Sequence, residues 1–218
     1  MANKSFSINV DKRPFDESWK LYTCEKFTFK PGINSLVGCN GSGKSTLINM
    51  FLLPALRKKN IGYLEHNDRK DGGNTHMQRL LFQDDFQNLA NMAFSSEGER
   101  IVCALDPIFG SLRSNFNKHK GERFFIIMDA IDSGMSIDEI IEIRNTFLDV
   151  IIPDAKDTFD VDLYIIIAAN NYEWCNDSRI HNICIYNSAE LTFSNYEDYK
   201  EHILASRILK NQLRGIEE

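Results

Sequence analysis

Eight consecutive residues constrain this chain more than any others: Gly38-Cys39-Asn40-Gly41-Ser42-Gly43-Lys44-Ser45. They follow an apolar stretch, Asn34 to Gly38, that reads as a strand, and they open an amphipathic stretch that reads as a helix from about Lys44 to Arg57. The glycines let the backbone turn its N–H groups inward, and the helix that starts at Lys44 aims the positive end of its dipole at the same point. Such a turn needs a strand behind it and a helix in front of it. The chain is thereby committed to an α/β architecture.

The octapeptide fits G-x-x-x-x-G-K-S/T, the P-loop or Walker A pattern, at every fixed position. In that reading the backbone cradles the phosphates of a nucleotide, Lys44 brings a cation to them, and Ser45 offers its hydroxyl to Mg²⁺. Gly38, Cys39, Asn40, Gly41, Ser42, Gly43, Lys44, Ser45 and Thr46 are the expected nucleotide-binding residues, with ATP and Mg²⁺ as ligands. A second element is Phe124-Phe125-Ile126-Ile127-Met128-Asp129. A carboxylate at the end of a buried strand is costly unless a cation meets it. Beside a P-loop that cation is Mg²⁺, so Ser45 and Asp129 form the expected metal pair.

The remaining pattern fits a mainly parallel sheet flanked by helices, with a small antiparallel lobe in front. Phe6-Ile8-Val10 and Phe27-Phe29 alternate as half-buried strands do, which places the lobe at about residues 1–32. Residues 33–218 then form the P-loop core, and the whole of 1–218 is expected to be one domain, an ordinary size for one. Leu163 to Ala168 reads as a second buried strand. Ile137, Ile140, Ile141, Phe147, Leu148 and Ile151 mark a helix stripe, and Ile101, Leu105, Ile108 and Leu112 another, with Pro107 a candidate kink. Asn67 to Thr75 reads as a loop. Two short strands near Ile183 to Tyr186 and Leu191 to Phe193 precede a charged amphipathic helix, Tyr196 to Arg214, the segment best suited to dock a partner but expected to pack on its own domain.

Composition narrows the classes further. Five scattered cysteines without a CxxC pair argue for reduced thiols rather than disulfides or zinc. No apolar run approaches the ~20 residues of a membrane span, and MANKSFSINVDK lacks the apolar core of a signal peptide, so a cytoplasmic protein without membrane insertion is expected. The net charge of −6 speaks against coating nucleic acid by charge alone. Arg57-Lys58-Lys59 and Lys118-His119-Lys120 read as solvated helix ends or turns.

Between the two nucleotide elements lies Ser95-Ser96-Glu97-Gly98-Glu99, and after Asp129 comes Ala130-Ile131-Asp132-Ser133-Gly134-Met135-Ser136. In that order these segments resemble the signature motif and the D-loop of ABC-type P-loop ATPases, closest to RecF/SMC-like heads and to small phage- or prophage-type ABC ATPases. The resemblance covers nearly the whole chain, without the long coiled-coil insertion of SMC proteins. It implies ATP sandwiched in a homodimer, with Ser96 and Gly98 reaching the γ-phosphate held by the other subunit. It further implies a nucleotide-gated switch, with DNA or a protein as partner, in repair, recombination or a phage-related process (in the host cytoplasm, if phage-encoded). The nucleotide-binding subunit of a transporter and a P-loop kinase are the alternatives.

Two departures from the family pattern matter. Ala130 stands where the family has its catalytic Glu, and Asn170 or Asn171 where it has its switch His. A methyl group cannot deprotonate water and an amide cannot take a proton as imidazole does. Asp132, three residues on, is expected to point elsewhere. Lys44, Asp129 and Asn170 or Asn171 are therefore the expected catalytic set, and hydrolysis is expected to be slow, dependent on a partner, or blocked by an engineered Ala130. The family's adenine-stacking aromatic is Trp19 or Tyr22, and its loop glutamine Gln78 or Gln83.

Overall fold

The computed structural model describes residues 4–15, 18–67, 110–132 and 135–216. A two-stranded antiparallel sheet, β1 (Phe6–Asn9) with β2 (Lys26–Phe29), stands in front of a six-stranded sheet. The large sheet contains β3 (Gly32–Val37), β4 (Gly62–Asn67), β5 (Arg123–Asp129), β6 (Asp162–Ala168), β7 (His181–Cys184) and β8 (Glu190–Leu191). Their spatial order is β4-β5-β6-β3-β7-β8, parallel throughout except for the β7–β8 pair. The expected α/β fold is thus the observed one.

Residues 124–128 of β5 and 163–168 of β6 form unbroken apolar runs because both faces of these strands are covered. Phe124, Ile126, Met128, Leu163, Ile165 and Ile167 join one core cluster with Leu112, Phe116, Ile140, Ile143 and Phe147. Phe125, Ile127, Tyr164 and Ile166 join the opposite cluster with Leu47, Ile48 and Leu52 of the helix after the loop. Phe6, Ile8, Phe27 and Phe29 lie in that second cluster, so the small sheet shares its core with this helix. The central contact is a stacked pair, Phe125 on Tyr164, with ring centres 4.6 Å apart and planes 8° apart. Phe6 closes on Phe125 edge-on at 5.0 Å.

The helix after the loop, α1, runs over residues 44–58, and its middle, Leu47–Leu52, is wound as a π-helix. Pro54 explains the widening, since it has no N–H and its ring would press on the carbonyl four residues back. The N–H of Leu53 reaches instead to the carbonyl of Ile48, five residues back. The same device recurs in α3 (residues 137–157; α2 is the helical run 110–118), where Phe147–Ile151 is π-wound and Pro153 follows. There the N–H of Ile152 reaches Phe147. The last helix, α4 (Tyr196–Leu213), begins at Asn195, whose side chain accepts from the Asp198 N–H at 3.0 Å.

Several boundaries differ from expectation. β4 is an additional strand, and Asn67, expected to open a loop, is its last residue. β7 and β8 start earlier than the apolar residues suggested. Ile137, assigned to the buried stripe, is 60% exposed, because it occupies the first helical position of α3. The expected helix from Gly98 falls largely outside the described residues, with Leu112 buried in α2. Arg57-Lys58-Lys59 and Lys118-His119-Lys120 close α1 and α2 as solvated ends. No described helix is long and apolar enough to cross a membrane.

Truncating Phe125 to Ala empties a position wedged between Phe6 and Tyr164. The cost expected from comparable core truncations is about 3–5 kcal/mol, read as a lowered denaturant midpoint, with Phe125→Leu costing clearly less.

Candidate functional site

Parallel register brings the carboxyl ends of four strands to one edge. Asn67 pairs with Asp129 across β4 and β5, Asp129 with Ala168 across β5 and β6, and Ser35 with Ile167 across β3 and β6. In such sheets the ligand crevice lies beyond these ends. A cavity of about 270 Å³ opens there, and Asn40 to Thr46, Asp129, Ala130 and Asn170 line it.

The loop turns through Gly41 and Gly43, at φ 73° and 100°, values that side chains disfavour. Gly43 is also the N-cap of α1, and a Cβ there would meet the Leu21 side chain at 2.9 Å. As an N-cap it offers no side chain to the first-turn N–H groups, which are left for an anion. Its carbonyl accepts from the hydroxyl of Tyr22 at 2.8 Å. Tyr22 is fully buried, and burial raises its pKa. That removes Tyr22 from the two aromatics expected to stack on a base. Trp19 lies under Arg214, whose guanidinium carbon is 5.2 Å from the ring centre, while Phe15 stacks on Trp19 and lines the cavity.

Lys44 is the centre of the arrangement. Its Nζ donates to the carbonyls of Gly38 (2.7 Å) and Cys39 (3.3 Å) and to Asn170 Oδ1 (2.8 Å). Burial lowers its pKa, opposed by the nearby acidic groups Cys39, Asp132 and Asp129. Ser45 Oγ donates to Asp129 Oδ1 at 2.9 Å, and Asn67 Nδ2 donates to Asp129 Oδ2 at 3.0 Å. The two expected metal residues therefore touch each other.

The residues present fit Mg²⁺ carried by a nucleotide. Among the described residues no group of three His, Cys, Asp or Glu could hold a metal alone. One hydroxyl and one carboxylate are what remains for the protein to supply when phosphate oxygens and waters complete the shell.

Ala130 adopts φ 60°, and its N–H donates to the Ala168 carbonyl at 2.8 Å. The Asp132 side chain turns to the Asn170 main chain, where its Oδ2 accepts from the N–H at 2.6 Å. The Asn170 carbonyl takes the Tyr199 hydroxyl at 2.9 Å. Asn170 is thus held on both sides with its amide on Lys44. Asn171 is not part of this set: its Oδ1 caps the next turn by accepting from the Glu173 N–H at 2.9 Å. Ser96, Gly98, Gln78 and Gln83 lie outside the described residues. The four described cysteines are free, and burial pushes the Cys175 thiol up to about 12.

Sequence reasoning did not single out Asn67, Phe15 or Arg214, which the structure brings to this cavity or to Asp129. A polar residue at the end of a strand beside Asp129 was the available signal for Asn67, but β4 itself, Gly-Tyr-Leu-Glu-His-Asn, carries too little apolar character to announce a strand.

Lys44→Ala removes the site's buried cation. Nucleotide affinity measured by calorimetry is expected to fall at least about ten- to a hundredfold, the value of a charge-assisted contact of ~1.5–3 kcal/mol.

The comparison with known families agrees with this geometry. Residues 17–217, nearly the whole chain, match the sequence model of a family described as an AAA domain. Among curated proteins none matches the chain. A parallel sheet with a phosphate loop at its carboxyl edge and a match of this extent make the chain a member of the AAA-domain family of P-loop ATPases.

Proposed function

We propose that the protein is an ATP–Mg²⁺-gated switch that closes as a homodimer around nucleotide and hydrolyses it slowly. One observation carries this reading. The phosphate-binding half of the site is complete, while the position next to Asp129 holds a methyl group, Ala130, on a left-handed turn. Lys44 and the uncapped start of α1 bind the phosphates, with the loop from Gly38 to Thr46 around them. Ser45 and Asp129 take Mg²⁺, which when bound withdraws charge from the phosphates, and Asn67 keeps the carboxylate aimed. Asn170 steadies Lys44. The exposed face of Phe15 is the surface offered to the base.

No carboxylate follows Asp129 directly, so water has no strong base at the usual place. Asp132 is the nearest acidic side chain of the described turn, and it is engaged with the Asn170 main chain. A chain built this way holds ATP longer than it cleaves it. It acts as one domain over 1–218 in this reading, and the long-lived bound state is the signal to a DNA or protein partner. Ser96 and Gly98 supply the contact across the dimer. The RecF/SMC-like and phage-type kinship rests on the Ser-Ser-Glu-Gly-Glu and D-loop-like segments. A cytoplasmic location follows from the same reading.

The test is hydrolysis by the parent and by Ala130→Glu under the same Mg²⁺, with Lys44→Ala as the blank. A positioned base contributes about 10²–10⁴-fold, equal to ~2.7–5.4 kcal/mol of barrier, and the variant is expected to gain part of that. Brisk turnover by the parent, absent from the blank, overturns the slow-switch reading.

The dimer has its own check by light scattering. ATP with Mg²⁺ is expected to double the mass where ADP does not, and Ser96→Arg is expected to keep ATP binding while abolishing the doubling. A monomer at saturating ATP removes the dimer from the proposal.

A further inference from the structure

Ser206, Lys210 and Arg214 follow one another at four-residue spacing, so they share one face of α4 and its end. That face meets three successive residues of the phosphate loop. The Cys39 N–H donates to Ser206 Oγ at 2.7 Å, Lys210 Nζ donates to the Asn40 carbonyl at 3.3 Å, and Arg214 Nη2 donates to the Gly41 carbonyl at 2.6 Å. The helix is itself fixed, since the Tyr186 hydroxyl donates to the Ser206 carbonyl at 2.9 Å and the Lys20 N–H to the Leu213 carbonyl at 2.9 Å.

Of the three, only Arg214 also lines the cavity that holds Lys44, Ser45 and Asp129. Its guanidinium lies against Trp19, and Trp19 against Phe15, which forms another wall of that cavity. Its Nε is shut off from solvent without an acceptor among the described residues. A guanidinium has five donors in a rigid fork suited to phosphate, and the one bond to Gly41 uses a single donor.

We propose that Arg214 is a nucleotide-binding residue, contributed by α4, that presents its guanidinium to the polyphosphate of a nucleoside triphosphate opposite Lys44. The Gly41 carbonyl and the Trp19 face hold the cation in place before the ligand arrives, so little side-chain freedom is lost on binding. The assignment rests on the nucleotide reading of the cavity. It adds the last helix to the site, so nucleotide occupancy and the seating of α4 become linked: each favours the other.

A purely structural clamp and a ligand to phosphate differ in their response to salt. The affinity for ATP with Mg²⁺ is measured by calorimetry at several salt concentrations for the parent, Arg214→Gln and Arg214→Lys. The expected result for Arg214→Gln is binding about ten- to a hundredfold weaker with a shallower salt dependence. Arg214→Lys, which keeps the charge and loses the fork, is expected to lie between them with the parent's salt dependence. The parent itself gives a second readout through the Nε–H resonance of Arg214, identified by its loss in Arg214→Lys and expected to shift as ATP saturates. Parent-like affinity and salt dependence in Arg214→Gln, or an unmoved resonance at saturation, overturns the assignment. No binding by the parent, matching Lys44→Ala, instead overturns the nucleotide reading and takes the Arg214 assignment with it.

Discussion

A buried ammonium organises the site. Lys44 is only 8% exposed, and a charge so far from water is costly unless every proton finds an acceptor. Three do: two loop carbonyls and the amide oxygen of Asn170. The two carbonyls fix the curvature of the loop, and Asn170 fixes the loop to the end of β6. Because β6 lies between β3 and β5, this one side chain ties the phosphate loop to the strand that leads to Asp129 by way of their common neighbour. Burial lowers the lysine's pKa, so its present partners, all neutral dipoles, compensate its charge only in part. An anion would complete the compensation.

The same logic recurs at Asp129. Its two oxygens accept from Ser45 of α1 and Asn67 of β4, so a helix and two strands converge on one carboxylate. Both of these donors are uncharged. Lys44 and Asp129 line the same cavity, which brings a cation and a carboxylate to one place, as a ligand with both phosphate and metal requires.

What could be read from the chain was what repeats or is fixed by local rules. β5 and β6 announced themselves because a strand covered on both faces reads as an unbroken apolar run. The loop did so because its glycines, lysine and serine are set by backbone geometry and charge. The choice between Asn170 and Asn171 could not be read, since adjacent residues with the same side chain differ only in which way the backbone turns them, and that depends on Asp132 and Tyr199 from elsewhere. β4 was hidden by its own polar residues, Glu65, His66 and Asn67, which leave it without a continuous apolar run. The π-wound turns before Pro54 and Pro153 arise from the backbone accommodating a ring, and the apolar spacing on either side gives no sign of them. Arg214 was legible only as a charge at the end of an amphipathic helix, and its meeting with Gly41 spans 173 residues.

Such sequence separations have a consequence for how the molecule comes into being. Ser45 and Asp129 are 84 residues apart, and Lys44 and Asn170 are 126 apart. None of these contacts can form until strands distant in the chain have paired in parallel, and pairing of that kind is slow because loop closure precedes its reward. The ligand cavity is therefore absent from any partly assembled chain, and a nucleotide can reward only the finished sheet. Mass action then makes the nucleotide a selective stabiliser of the native state, by about 2.7 kcal/mol at a hundredfold excess over its dissociation constant. In a cell whose nucleotide level varies, the lifetime of such a protein against proteolysis would rise and fall with its ligand.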